Sequence, residues 1–260
     1  MRALHTTLGE EGFVEVPVPV LVDGPALEST LEPVSADGGW LHTSPEFALK
    51  RVLAAGLPRI YSITPAFRAE EVGRHHGREF TMLEFYLCNA GYLDLLSVAE
   101  SLFAAAARAV GQSAPKFTTR TVAELFGSAV PTDDASYFHR WVDEIEPGLT
   151  LPTFVIDYPA RHAALAEIRG DVAERVEVYL GGVELGNGFS ELRDSAELRE
   201  RFSSSALARS EDGRRPHPVD EGVIAATAIL PRCAGMAIGV DRLAMVLTGA
   251  SDIAAVRVPR

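Results

Sequence analysis

Glu177 and Glu184 flank the dipeptide Gly181-Gly182, and two glycines suit the positive φ angles of a two-residue hairpin turn. Such a turn pairs Tyr179 with Glu184. The two-residue period of a strand then puts Glu177 on the face of Glu184, diagonally across the pair at about 7 Å. Two carboxylates so placed call for a cation, and a hard ion such as Mg²⁺, shared with substrate phosphates, fits them; the alternative is a pair of solvated surface glutamates. A second set is Arg68 and Glu70 at the end of one strand with Phe80, Glu84 and Tyr86 on its hairpin partner. Alternation puts Arg68 and Glu70 on one face, and likewise Phe80, Met82, Glu84 and Tyr86, where an aromatic can stack on a nucleobase and acids can receive a cationic group. The loop between carries Arg74, His75, His76 and Arg78, side chains that suit phosphate and are equally common in any exposed loop. A third set, Asn187, Phe189 and Glu191, falls by strict alternation on the face opposite Glu184; a bulge at Gly186 or Gly188 brings the groups together. Arg242 begins a helix after a glycine-rich strand, where it either clamps an anion or pairs with a neighbouring acid.

The elements that must position these groups follow from periodicity and punctuation. Residues 2–11 suit a short amphipathic helix, and 12–19 alternate but are broken by Pro17 and Pro19, an edge-like strand. Ser44 to Ala55 reads as a helix with Ser44 as N-cap and Pro45 at the first position. Arg59 to Arg68 and Glu79 to Tyr86 form a long hairpin, and Asp94 to Val110 a helix. Residues 111–150 read as a small helical insertion. Thr153 to Ile156, Arg175 to Leu180 and Val183 to Phe189 are strands, Ser195 to Leu207 a helix and Ser203 to Pro218 a surface loop. Gly235 to Val240 is a strand that enters a helix near Asp241.

Composition bounds what these groups can serve. The 260 residues, 47% hydrophobic, suffice for one compact domain spanning 1–260. No apolar run reaches the roughly 18 to 20 residues of a membrane helix, and no secretory signal is present, so a cytoplasmic protein is expected. Cys88 and Cys233 are the only cysteines, which excludes a disulfide framework or a Cys/His zinc site and leaves two buried thiols. The net charge of −12 argues against general adhesion to nucleic acid.

Taken together, Phe67-Arg68-Ala69-Glu70, Glu79-Phe80-Thr81-Met82-Leu83-Glu84, the run from Gly182 to Leu192 and Gly239-Val240-Asp241-Arg242 resemble class II lysyl-tRNA synthetases. Thr43 to Phe47, Glu70 to Arg74 and Arg215 to Asp220 resemble, within that family, the short paralogues that attach a lysine-type residue to translation elongation factor P. The likeness covers nearly the whole chain and is weakest at about 115–150. It implies an α+β fold, an antiparallel sheet flanked by helices, and a homodimer built on the first motif at Phe13 to Pro19. The chain begins almost at that motif, so no anticodon-dependent tRNA recognition is expected.

The resemblance further implies ATP bound by Arg68, Glu70, His76, Phe80 and Arg242. Arg68 would act at the α-phosphate, Glu70 at the adenine amino group, Phe80 by stacking on adenine, and His76 and Arg242 at the far phosphates. Glu177 and Glu184 would hold Mg²⁺. For the amino acid, it assigns Glu46 to an amino group, Asn187 to the carboxylate, and Glu84, Tyr86 and Glu191 to the side-chain ammonium, with Phe189 lining the pocket. Ala237 stands where true synthetases usually have glycine, which implies (R)-β-lysine rather than α-lysine. The sequence departs from the family's pattern at Gly77-Arg78, in place of Asn-Pro, and at Ala69, in place of Asn. A tRNA or carrier-protein acceptor, and a catalytically silent regulatory relative, are the alternatives.

Overall fold

The structure is a computed structural model that describes residues 1–25, 31–127 and 129–258; Ser128, within the expected insertion, lies outside them. The strands, in chain order, are β1 (Val14–Glu15), β2 (Leu21–Val22), β3 (Val34–Ala36), β4 (Gly39–Leu41), β5 (Arg59–Phe67), β6 (Glu79–Cys88), β7 (Thr118–Thr121), β8 (Thr153–Pro159), β9 (Ile168–Arg169), β10 (Val172–Leu180), β11 (Val183–Ser190) and β12 (Cys233–Gly239). The α-helices are α1 (Arg2–Glu10), α2 (Glu46–Ala54), α3 (Leu95–Ala109), α4 (Val122–Phe126), α5 (Asp134–Arg140), α6 (Ser195–Glu211), α7 (Glu221–Thr227) and α8 (Val240–Thr248).

Among the described residues, one nine-stranded sheet runs β1-β5-β6-β12-β11-β10-β8-β7, with β9 on β10. Its interior pairings are antiparallel, and only the edge pairs β1–β5 and β7–β8 are parallel. Alternation sorts the two faces. Leu83, Phe85 and Leu87 of β6, Met236 and Ile238 of β12 and Val176 and Val178 of β10 pack into one core with Leu95, Leu102 and Phe103 of α3. The residues between them, Glu84, Tyr86, Ala237 and Glu177 among others, line a cavity on the other face.

Four sequence expectations are corrected. The second helix begins at Glu46, with Pro45 as its N-cap residue; Ser44 still accepts the Glu46 backbone N–H at 3.1 Å, but its hydroxyl proton goes to Glu84. Residues 111–150 are not a purely helical insertion, because Thr118–Thr121 adds an edge strand beside β8. The helix after Asp194 continues to Glu211, so the serines at 203–205 lie within a helix and not in a loop; Phe202 and Arg209 anchor that last stretch by burial. The bulge falls at Leu185: Tyr179 pairs with Glu184 and Val178 with Gly186, so Leu185 is the extra residue. Gly186 and Gly188 serve close strand approach instead, since a Cβ there would lie 2.8 Å from the Ala237 carbonyl oxygen or 2.7 Å from that of Gly235.

The Gly181-Gly182 turn forms as expected, with φ of 65° and 73°. Among the strand glycines close approach is most severe at Gly235, where a Cβ would lie 2.2 Å from the Tyr86 ring. Gly235→Ala should therefore displace that ring and lower stability by about 1–3 kcal/mol, as overpacking does; urea denaturation checks this, and an unchanged midpoint would show that the ring moves aside freely.

Candidate active site

A cavity of about 350 Å³ opens on the sheet face opposite α3, and its two ends differ in charge. At one end three glutamates meet from three elements: Glu46 in the first turn of α2, Glu84 in mid-β6 and Glu191 just past β11. Glu84 and Glu191 are almost fully buried. A buried carboxylate needs donors to be tolerable. Glu84 has two, the Tyr86 hydroxyl at 2.5 Å and the Ser44 hydroxyl at 2.7 Å. Glu46 and Glu191 share the buried ammonium of Lys50, at 2.6 and 2.5 Å. Burial alone would depress Lys50, but Glu191 and Glu46 outweigh it and hold the lysine charged. Burial first, and then Glu46, push Glu84 up to about 7. Glu191 is also pushed up by burial, against the pull of Lys50.

The other end is cationic. Arg68 lies over the Phe80 ring, 5.1 Å from its centroid, and pairs with Glu71 at 2.9 Å. Arg242, in the first turn of α8, donates Nε to the His75 carbonyl at 3.0 Å and Nη1 to the Glu184 carbonyl at 3.1 Å. His76 lines the same end; burial and then the Arg242 charge lower its pKa, so an arriving anion would restore its affinity for a proton. Between the ends stands Asn187, whose Oδ1 accepts from Arg175 Nε at 2.9 Å. Arginine only donates, so this bond fixes the amide oxygen inward and leaves the Asn187 N–H groups as donors for a carboxylate.

The cavity joins a cationic group, an amide donor and a nest of acids, a set with the chemistry to receive an anion and a cation side by side. Comparison with known proteins agrees with that chemistry. Residues 1–258 match the family of class II tRNA synthetases (D, K and N). The chain belongs to that family. A protein of Aquifex aeolicus (strain VF5) named as an elongation factor P--(R)-beta-lysine ligase homolog is 34% identical, over 94% of this chain and 91% of its own length. Class II synthetases of this kind are ATP-dependent amino acid ligases, and the sheet described above, antiparallel through its interior and flanked by helices, is of their type.

Within this class II site, the two carboxylates read from the Gly-Gly hairpin differ in their surroundings. Glu177 is buried and committed: Oε1 accepts from Arg175 at 2.6 Å, and Oε2 from the Tyr158 and Tyr179 hydroxyls, both at 2.6 Å. Glu184 is 37% exposed at its side chain, with Arg242 3.9 Å away. Though partly open to solvent, Glu184 is desolvated by the protein around it, and this, then Glu177, raise its pKa, with Arg242 opposing. A carboxylate so raised has an unmet demand for positive charge, and Glu177 Oε1 keeps one lone pair. The pair therefore fits Mg²⁺, provided phosphate and water supply the remaining ligands, because among the described residues no cluster of three or more His, Cys, Asp or Glu side chains forms a metal site.

Of the residues singled out in the sequence, Glu46, Arg68, His76, Phe80, Glu84, Tyr86, Glu177, Glu184, Asn187, Phe189, Glu191, Ala237 and Arg242 all line this one cavity. Glu70 does not. Its carboxylate is 60% exposed and pairs with Arg214 at 3.1 Å, and Glu71 lines the cavity in its place. The backbone turns after β5 at residues 69–70, which ends the alternation on which Glu70 was placed. Sequence reasoning passed over Arg175 and Lys50. Both carried a signal: Arg175 is two residues before Glu177 on one strand face, and Lys50 follows Glu46 by four, the spacing of one helix face.

The upward shift of Glu84 has a consequence for stability. Its folded pKa of about 7 lies above the ordinary 4.5, so the folded state binds the proton more tightly than the unfolded state. The contribution of Glu84 to stability should be full below about 4.5 and be lost as pH rises through about 7, with a slope from this group of up to about 1.4 kcal/mol per pH unit. Urea denaturation of the ligand-free protein at steps across that window checks this. Glu84→Gln should flatten the slope, and an identical slope in the variant would assign it elsewhere.

Proposed function

We propose that this protein activates a lysine-type amino acid, (R)-β-lysine, with ATP as its aminoacyl-adenylate and transfers the acyl group to a lysine amine of translation elongation factor P. The observation that carries this is the joining, in one cavity, of three carboxylates at one end with Arg68, His76 and Arg242 at the other, 13 residues of the expected site lying along it. The name of the Aquifex relative supports the choice of substrate and acceptor.

In the first step the amino acid carboxylate, received by Asn187 and Arg68, attacks the α-phosphorus; the bond to the bridging oxygen breaks and pyrophosphate leaves. In the second, an acceptor amine attacks the acyl carbon, the acyl–phosphate bond breaks, and AMP leaves with the electron pair while the amine loses a proton. No nucleophile of the protein is required, so catalysis rests on positioning and electrostatics. Arg68 meets the charge that builds on the α-phosphate, and Arg242 with His76 holds the far phosphates. Phe80, already covered on one side by Arg68, offers a ring to adenine. Glu184 and Glu177 would hold Mg²⁺, which supplies neutralising charge to the departing pyrophosphate. An arriving cation would favour the ionised forms of Glu84 and Glu191, and with Glu46 the three carboxylates would then stand against the one charge of Lys50, a balance suited to the two ammonium groups of a lysine. Ala237 pairs across with both Glu84 and Asn187, so its methyl sits between the groups that read the two ends of the amino acid. The edge of the sheet at β1, with α1, is the surface on which a homodimer would form.

ATP–pyrophosphate exchange tests the reading. (R)-β-lysine should support exchange better than (S)-β-lysine or α-lysine, and only with Mg²⁺; preference for α-lysine would remove the acceptor assignment, and no exchange with any of them would leave a silent relative. Ala237→Gly should shift the preference toward α-lysine by about 10-fold, the worth of one methyl-sized contact. Glu184→Ala should abolish exchange, and near-normal turnover in that variant would show that the metal is held elsewhere.

A further inference from the structure

The loop at 71–78 supplies His75, His76 and Gly77 to the cationic end of the cavity, yet it carries Gly77-Arg78 where the resembling family has Asn-Pro. Glycine widens and the loss of proline frees the conformations open to such a loop, so beyond its own Gly73–His76 bridge its order draws on contacts outside it. Those contacts come from the last described stretch of the chain. Ile253 donates its backbone N–H to the Arg74 carbonyl at 2.8 Å. Arg257 donates Nε and Nη2 to one oxygen of Asp241, at 3.0 and 2.6 Å, and that same oxygen accepts the Thr81 backbone N–H at 3.0 Å. Asp241 adjoins Arg242, which holds the His75 carbonyl. With Nε and Nη2 so fixed, the guanidinium lies directly on Gly77: a Cβ at that position would be 2.1 Å from Arg257 Nη1 and 3.1 Å from Cζ.

We infer that Arg257 is a positioning residue for this loop, occupying the space that a side chain at position 77 would fill and fixing the loop for the phosphates of the nucleotide. Gly77 and Arg257 form a matched pair. A side chain at 77 and an arginine at 257 exclude each other, and with neither present the loop loses this contact and keeps the bonds of Arg74 to Ile253, of His75 to the Arg242 side chain and of Arg78 to Arg68. That the ligand is a nucleotide rests on the function proposed above; that Arg257 orders the loop does not.

Two measurements on Arg257→Ala, Gly77→Ala and the double variant separate these claims. Arg74 and Arg78 are exposed, so limited trypsin digestion of the intact protein reads the order of the loop. Arg257→Ala should speed cleavage there roughly fivefold or more, as loss of local order does. The KM for ATP in pyrophosphate exchange should rise by a similar factor, while the KM for the amino acid changes less than about twofold, because the acid end rests on α2, β6 and β11. Gly77→Ala should reproduce both effects by expelling the guanidinium, and it carries the test if Arg257→Ala does not fold. The double variant should be no worse than either single one, since coupled sites do not add. Wild-type cleavage in Arg257→Ala, or single-variant effects that multiply in the double variant, would overturn the inference. If the wild-type protein shows no exchange, the functional reading fails and the cleavage rates still decide the role of Arg257.

Discussion

One extra backbone residue, Leu185, sets which side chains of β11 meet the substrate cavity. Before it, Glu184 faces the cavity opposite Tyr179; after it, the parity of the strand is reversed, so Asn187, Phe189 and Glu191 face the same way. Without that offset the groups assigned to phosphate and to amino acid would lie on opposite sides of a sheet. The bulge disturbs a strand at the centre of the sheet, where both neighbours constrain it. Gly186 and Gly188 let β12 stay in register past it, because any side chain there would strike the β12 backbone. The site is thus continuous because the strand is irregular.

Around that irregularity the charges are arranged by depth. The acids are the most deeply placed, and each has its own means of being tolerated: two hydroxyls for Glu84, a shared ammonium for Glu46 and Glu191. The cations stand nearer the opening. Arg175 ties the two regions, since its guanidinium reaches Asn187, Glu177 and the His162 carbonyl at 2.9, 2.6 and 2.9 Å. It orients the Asn187 amide and the Glu177 carboxylate together, so a single half-buried side chain sets their relative position. In such a desolvated setting, fixed dipoles and charges act more strongly than in water.

Much of this was legible in the residues. The Gly-Gly turn dictated the pairing of Tyr179 with Glu184, and alternation along β6 correctly put Phe80, Met82, Glu84 and Tyr86 on one face. The need for a bulge followed from Asn187 and Glu191 having to meet Glu184, but its location did not, because glycines mark close approach as well as bulges. Glu70 lies outside the cavity for a related reason: periodicity holds only while the strand lasts, and β5 ends at Phe67. The edge strand at 118–121 is four residues of threonine and arginine with no apolar face, and only its position beside β8 makes it a strand. Lys50 and Arg175 escaped notice because charge at those positions looks like surface until the fold covers it.

The wall behind Glu177 is backed by aromatic residues between Tyr137 and Tyr179. Tyr158 and Tyr179, whose hydroxyls hold that carboxylate, pack with their rings 5.7 and 6.4 Å from Trp141, and Trp141 in turn stacks on Tyr137 at 5.7 Å. The aromatic stack is a gauge block: its thickness fixes how far two phenol oxygens reach through the sheet edge toward the cavity. The stretch that carries Tyr137 and Trp141 is therefore constrained in dimension, and the placing of the Glu177 carboxylate in the cavity wall is inherited from the packing of indole and phenol rings behind it.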